Sequence, residues 1–160
     1  TLSAIYNATN ELISGLPEGD PEELAALALR FWEAVAGYMK EWERVRRGEL
    51  TAGEVRADFI HTHGVVLHAL ARVGKSLLQL YPDAWEEKLA GIEKIDWRRS
   101  NSSLWEGRAL LGGQVSKAHQ NIILTTNAIK NALKLPLSPE EQRVEGAFNW
   151  EENGAKRQQQ

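Results

Sequence analysis

The side chains best equipped for chemistry in this sequence lie between Lys94 and Lys134. Seven cationic residues, Lys94, Arg98, Arg99, Arg108, Lys117, Lys130 and Lys134, meet only Asp96 and Glu106 in that stretch. The segment therefore carries +5 inside a chain whose formal charge is −3, leaving −8 for everything else. Charge gathered so unevenly suits a polyanion better than a generic solvated coat. The amides extend the pattern. On a helical wheel from 117 to 134, Gln120, Asn127, Asn131 and Lys134 fall on one side, flanked by Lys117 and Lys130. Ala118, Ile122, Thr125, Ile129, Ala132 and Leu133 fall on the other. Lys and Arg neutralise phosphates, while Asn and Gln can pair with adenine edges. Arg98, Arg99, Arg108, Lys117, Lys130 and Lys134 are accordingly candidate phosphate contacts, and Gln120, Asn127 and Asn131 candidate base-edge contacts. The hydroxyls of Ser100, Ser102 and Ser103 adjoin them, and Ser116 leaves free amides at a helix start where an anion can sit. The plainer alternative is a solvated, amide-rich face, and Leu124 interrupts the polar side.

Other constellations are weaker. His61, His63 and His68 are close in sequence, and Asp58 precedes His61 by three residues. On one helix Asp58, His61 and His68 share a face but His63 points elsewhere, and no His-Glu-x-x-His spacing occurs. Packed or hydrogen-bonded histidines fit better than a metal site. His119 reads as a surface or capping residue. Gly74-Lys75-Ser76 resembles the end of a phosphate-binding loop, but Ala69 stands where the leading glycine belongs and the stretch is helical rather than a loop after a strand. Trp97 and Trp105, beside arginines, can stack on bases or guanidinium groups, but anchoring the loop is the simpler role. No serine-histidine-acid or paired-carboxylate arrangement stands out, so the residues give no support to catalysis, a metal or a cofactor.

The elements that must position these groups read as helix after helix, with no convincing strand. Residues 2–14 form an amphipathic helix stopped by Gly15 and Pro17. Asp20-Pro21-Glu22-Glu23 opens a long helix to about Arg46, with Leu24, Leu27, Phe31, Val35, Tyr38, Met39 and Trp42 as its core stripe. Thr51-Ala52-Gly53-Glu54 is a second capping box, opening a stretch to about Tyr81 with a break or bend expected at Gly64. Pro82-Asp83 restarts a shorter helix ending near Gly91. From Ile92 to Val115 the pattern dissolves into a polar, glycine-rich and tryptophan-bearing loop. Ser116 caps a regular helix to about Leu133, and Ser138-Pro139-Glu140-Glu141 caps a last short one. The expectation is an all-α, irregular bundle of about five to seven helices in one domain, residues 1–148, followed by a mobile tail over 149–160.

Bulk properties agree. A chain of 160 residues with 42% apolar and 26% charged residues is long enough for one real core. No apolar run approaches the roughly 18 residues of a membrane span, so no membrane partner is expected. With no cysteine there is neither a disulfide framework nor a thiolate site, which suits a cytoplasmic protein. The first residues lack a signal peptide and an initiator Met and are already helical in spacing, so the chain is expected to begin inside a longer protein.

Three stretches resemble a known family. IHTHGVVLHALARVG from Ile60 to Gly74 and IDWRRSNSSLWEGRA from Ile95 to Ala109 are two of them. The third runs from Gly113 through Lys117, Asn121, Leu124, Thr125, Ile129 and Lys130 to the closing LPLSPEE. Together they are similar to DndB, the DNA sulfur modification proteins of the DGQHR-domain group, and specifically to its C-terminal portion. The likeness extends from Thr1 to about Glu145. It implies a protein of the machinery that replaces a backbone phosphate oxygen with sulfur. The implied role is DNA-binding control of transcription of the modification gene cluster, not sulfur transfer. The signature that gives the group its name is absent here and would lie upstream. The basic loop and helix are read from the residues themselves and are compatible with that role. The expected partners are double-stranded DNA, the N-terminal domain of the parent protein, and a second copy or other modification proteins. Two rivals remain: a helical interaction or oligomerisation module, and a helical domain supplying Arg108 or Lys117 to a nucleotide site in the missing part.

Overall fold

Helix starts follow the capping chemistry of the sequence. The computed structural model describes residues 2–158. Among them α1 spans Leu2–Ile13, α2 Pro21–Gly37, α3 Lys40–Arg46, α4 Ala52–Asp58 and α5 Gly64–Leu80. Then come α6, Trp85–Leu89, a 3-10 turn over Ala90–Lys94, and α7, Ser102–Trp105. The strands β1, Leu110–Leu111, and β2, Gln114–Val115, precede α8, His119–Leu133, and α9, Pro139–Gln158. Asp20 accepts the Glu22 amide at the head of α2, and Thr51 with Glu54 forms the reciprocal capping box of α4. The fold is mainly α, as expected.

The core is built around α5, which lies against α1 on one side and α8 on another. It buries Val65, Val66, Leu67, Ala69, Leu70, Ala71, Val73, Leu77 and Leu78. Gly74 is where three helices converge. A Cβ there would meet the ring of Phe31 from α2 and would stand 2.7 Å from Leu12 Cδ1 of α1. The glycine that resembled the end of a phosphate loop is thus a packing glycine. Phe31, Leu12 and Leu70 are fully buried around it.

Several elements differ from the sequence expectation. The helix expected to open at Asp20-Pro21-Glu22-Glu23 and run to about Arg46 is divided at Tyr38 and Met39. Gly37 is a poor helix former, and the extended backbone at Met39 turns that side chain into the core at 1% exposure. The stretch from 51 to 81 is interrupted over residues 59–63, just before Gly64. There the chain becomes extended and pairs with the tryptophan loop: Ile60 N–H donates to Trp97 O at 3.0 Å and Arg99 N–H to Asp58 O at 2.8 Å. A small hairpin replaces the expected absence of strands. Leu110 pairs with Val115 and Leu111 with Gln114, and the turn places Gly112 and Gly113 at φ 58° and 76°, the primed turn that fits a two-residue hairpin. Glu106 accepts both glycine amides and ties the hairpin tip down. The last helix is not short. It runs twenty residues, over most of the stretch expected as a tail, while residues 159 and 160 lie outside the described part. Among the described residues no helix is long and apolar enough to cross a membrane.

Candidate nucleic-acid interface

The tryptophan loop gets its shape from two stacked indoles. Trp97 and Trp105 lie 5.5 Å apart and nearly parallel, 5% and 0% exposed. Each spends its N–H on backbone, Trp97 on Ile92 O at 3.3 Å and Trp105 on Asp96 O at 2.8 Å. They anchor the loop and offer no face to a base. What they position is the Arg98-Arg99 pair, carried past the last turn of α4 by the pairing with residues 58–60.

Arg98 is exposed and held by Asp96 through two bonds of 2.9 and 2.7 Å. That contact holds the Asp96 carboxyl below its usual range. Arg99 is half-buried, and its Nη2 approaches His63 Nε2 at 3.2 Å. The same imidazole nitrogen lies 3.0 Å from Arg56 O. One neutral tautomer can donate to the carbonyl and the other can accept from Arg99, but neither does both. Arg99 Nε is buried without a hydrogen-bond partner among the described residues. Arg99 is therefore a guanidinium with donors to spare, at the wall of an open cleft shared with Arg98, Ser100, Phe59 and Gly113.

Across the last turn of α4 lies a second cleft, between α1 and the start of α5, where Arg56, His68 and Lys117 meet. Burial, the largest influence, and the charges of Arg72 and His119 push the His68 imidazole below its usual pKa, against an opposing pull from Glu11. Lys117 sits on the connection from β2 to α8. Ser116 shapes that connection: its hydroxyl accepts the Ala118 amide at 3.3 Å and donates to Asn121 Oδ1 at 2.8 Å. Asn121 in turn donates to the carbonyls of Gly107 and Arg108 at 3.2 and 2.7 Å, fastening loop to helix. Gln120 is exposed in the first turn of α8.

The remaining sequence candidates lie elsewhere, and three are corrected outright. Lys130 is buried and donates to Glu141 at 2.7 Å. Asn127 is fully buried and donates to Glu141 O at 3.1 Å and to Glu145 at 2.9 Å. Arg108 forms a two-bond pair with Glu145 at 2.9 and 2.6 Å, donates to Leu124 O at 2.9 Å and lies over the Phe148 ring. The side of α8 expected to face a groove is instead covered by α9, whose Glu141 and Glu145 neutralise it. Asn131 and Lys134 are exposed but at the far end of the helix, about 17 and 21 Å along the axis from Gln120 at the usual rise per residue. Lys134 closes α8 in the left-handed conformation, φ 58°. The structure thus gathers Arg98, Arg99, Lys117 and Gln120 toward one end and separates them from Asn131 and Lys134.

Arg56 is the residue the sequence reading missed. Glu54 and Asp58 flank it and cancel its charge on paper, yet the Glu54 carboxylate is turned back onto the Thr51 amide at 2.7 Å. His61 and His63 are hydrogen-bonded as expected, but both lie off the helices. His61 is fully buried, with Nε2 3.0 Å from Glu41 and Nδ1 accepting from Trp42 at 3.3 Å. Burial lowers its pKa against the opposing pull of Glu41.

A family model described as DndB, DNA-sulfur modification-associated, matches residues 1–136. No curated protein and no solved structure matches the chain.

Proposed function

We propose, from the premise that this chain belongs to the DndB family of DNA-sulfur modification-associated proteins, that it is a DNA-associated regulator in that system. In this reading it binds double-stranded DNA in the cytoplasm and controls transcription of the modification gene cluster, without itself transferring sulfur. One observation carries the reading: Arg56 from α4, Arg98 and Arg99 from the tryptophan loop, and Lys117 from the connection into α8 come to two clefts that share the last turn of α4. Among the described residues, Arg56 and Lys117 have no acidic partner and Arg99 keeps a buried donor unused. Such cations suit phosphate oxygens, which fix a protein on a duplex before any base is read. Gln120 is an exposed amide three residues beyond Lys117.

The test is fluorescence anisotropy of the chain with duplex DNA from its own promoter across a salt series, with a scrambled duplex as control. Each phosphate contact contributes about −0.9 to the log–log salt slope. Arg99→Ala combined with Lys117→Ala is expected to flatten the slope by about 2 on both duplexes. An unchanged slope and affinity would remove these residues from any DNA contact.

A second reading has its own observation. On α1, Leu2 is 92% and Tyr6 67% exposed, although Ala8 and Leu12 of the same helix are fully buried. Ile5 borders an apolar groove with Trp42, Val45 and Val55. That patch suits a protein-interaction module docking the N-terminal domain of a parent protein, a second copy or another modification component. Self-association that is insensitive to salt, seen by sedimentation and abolished by Leu2→Lys with Tyr6→Lys, supports it.

A further inference from the structure

The cleft between α1 and the head of α5 has a volume of about 320 Å³ and opens to solvent. Three of its walls carry cationic or imidazole nitrogen: Arg56 from α4, His68 from α5 and Lys117 from the connection into α8. Ser3 and Asn7 add a hydroxyl and an amide from α1, and among the described residues no carboxylate lines the space. Arg56 reaches only the Thr62 carbonyl, at 3.5 Å. Glu11, the acid that acts on His68, is engaged by Lys75 at 3.7 Å. His63 leads into α5 without a side-chain cap, and among the described residues the amides of Gly64 and Val65 donate to no protein acceptor.

We propose that this cleft is a seat for one phosphate group, gripped by Arg56 and Lys117 with His68, Asn7 and Ser3 completing the shell. A tetrahedral oxyanion needs donors from several directions at once, and a guanidinium, an ammonium and an imidazole on three different elements supply them. The open amides of α5 add a partial positive charge at the floor. Gly64 keeps that floor clear. A Cβ there would stand 3.6 Å from Ala4 Cβ, an ordinary contact, so the fold has room for a methyl, which would stand between the α5 amides and an anion in the cleft. The seat stands on these groups alone. That its occupant is a backbone phosphodiester rests on the proposed DNA binding, whereas a terminal or free phosphate presents the same chemistry.

The test is a 1H–15N NMR titration of the 160-residue chain at low ionic strength, with the dinucleotide d(TpT) and, separately, inorganic phosphate. Saturable shifts of the Gly64 and Val65 amides are expected. Arg56→Gln or Lys117→Gln should weaken them about tenfold, the equivalent of one charge-assisted hydrogen bond. Gly64→Ala should weaken them with the melting temperature unchanged, and Arg143→Gln on α9 should leave them intact. Shifts with d(TpT) assign the seat to the nucleic-acid backbone, and shifts with inorganic phosphate alone assign it to a free or terminal phosphate. No saturable shift with either probe, or shifts that persist when Arg56 and Lys117 are both replaced, overturns the seat. Duplex binding that survives such a result would leave the proposed function standing. Phosphate shifts without duplex binding would do the reverse.

Discussion

Lys130 donates to Glu141 across 2.7 Å, in an interior where the two side chains are 5% and 3% exposed. The pair does not stand alone. The Ser138 amide donates to the same carboxylate oxygen at 2.8 Å, Ser138 Oγ accepts the Glu141 amide at 3.2 Å, and Arg72 approaches the other oxygen at 3.8 Å. A capping box at the head of α9 has thus been turned inward to receive a lysine from α8. One turn further on, Glu145 receives Arg108 and Asn127. These contacts convert the most nucleic-acid-like helix of the sequence into an internal strut.

Removing one partner of the Lys130–Glu141 pair leaves a buried charge without compensation. Lys130→Met alone is expected to cost about 3–5 kcal/mol. Lys130→Met together with Glu141→Leu should recover much of that loss, because two apolar side chains leave no unpaired charge behind. Urea denaturation of the two variants checks the difference. Equal losses in the single and double variants would mean that packing, not charge, sets the cost. Salt-dependent DNA affinity of either folded variant should match the parent chain.

The same carboxylates give stability a pH dependence with a defined sign. Burial raises the pKa of Glu141, but the bonds from Lys130 and Ser138 outweigh it and the net shift is downward. Glu145 shows the same balance, burial opposed and outweighed by Arg108 and Asn127. A folded-state pKa below the unfolded one means stability that is present above the ordinary carboxylate pKa of 4.5 and is lost as pH falls through the folded value. Thermal melts between neutral pH and pH 3 should show this loss concentrated below about pH 4.5. Glu145→Gln should be less stable at neutral pH yet show a shallower acid limb. An acid limb as steep as in the parent chain would exclude Glu145 from it.

Gly74→Ala tests the three-helix crossing. The added methyl would press on the Phe31 ring and on Leu12, both of which are fully buried. Overpacking of this kind costs about 1–3 kcal/mol, which should outweigh the gain in helix propensity of roughly 1 kcal/mol or less. If the variant melts at or above the temperature of the parent chain, the crossing is looser than its geometry.

The sequence told more about where helices begin than about what they face. Asp20, Thr51 with Glu54, and Ser138 with Glu141 act locally, within a turn, so capping rules find them. Gly112-Gly113 was equally local and marks a hairpin, yet the strands are two residues each and leave too little alternation to read. The orientation of α8 is a different matter. Its polar side is decided by Glu145, thirty-seven positions from Arg108, and by Glu141, eleven from Lys130. Charge complementarity of that kind exists only once α9 is docked. The spacing of the two acids by four on an otherwise polar helix was the available sign, and it applies equally to a solvated face. Arg56 was hidden for the opposite reason: Glu54, which neutralises it in sequence, is turned back onto Thr51 in space.

The two arginines of the loop differ in how ready they are for a phosphate, and that difference can be measured. Arg98 is already occupied by Asp96, and an incoming phosphate must compete with that carboxylate. Arg99 has no acidic partner among the described residues and an unused Nε. Asp96→Asn keeps an oxygen for the Arg98 amide but removes the charge. It should therefore raise DNA affinity at low salt, by roughly two- to fivefold given the small worth of an exposed pair. Arg99→Ala should lower affinity more than Arg98→Ala in the parent chain, and Asp96→Asn should narrow that gap by making Arg98 matter more. Anisotropy on the three single variants and on each arginine variant combined with Asp96→Asn decides it. If Asp96→Asn leaves affinity unchanged and the two arginine variants are equivalent, the loop acts through its net charge and not through the pairing of individual guanidinium groups.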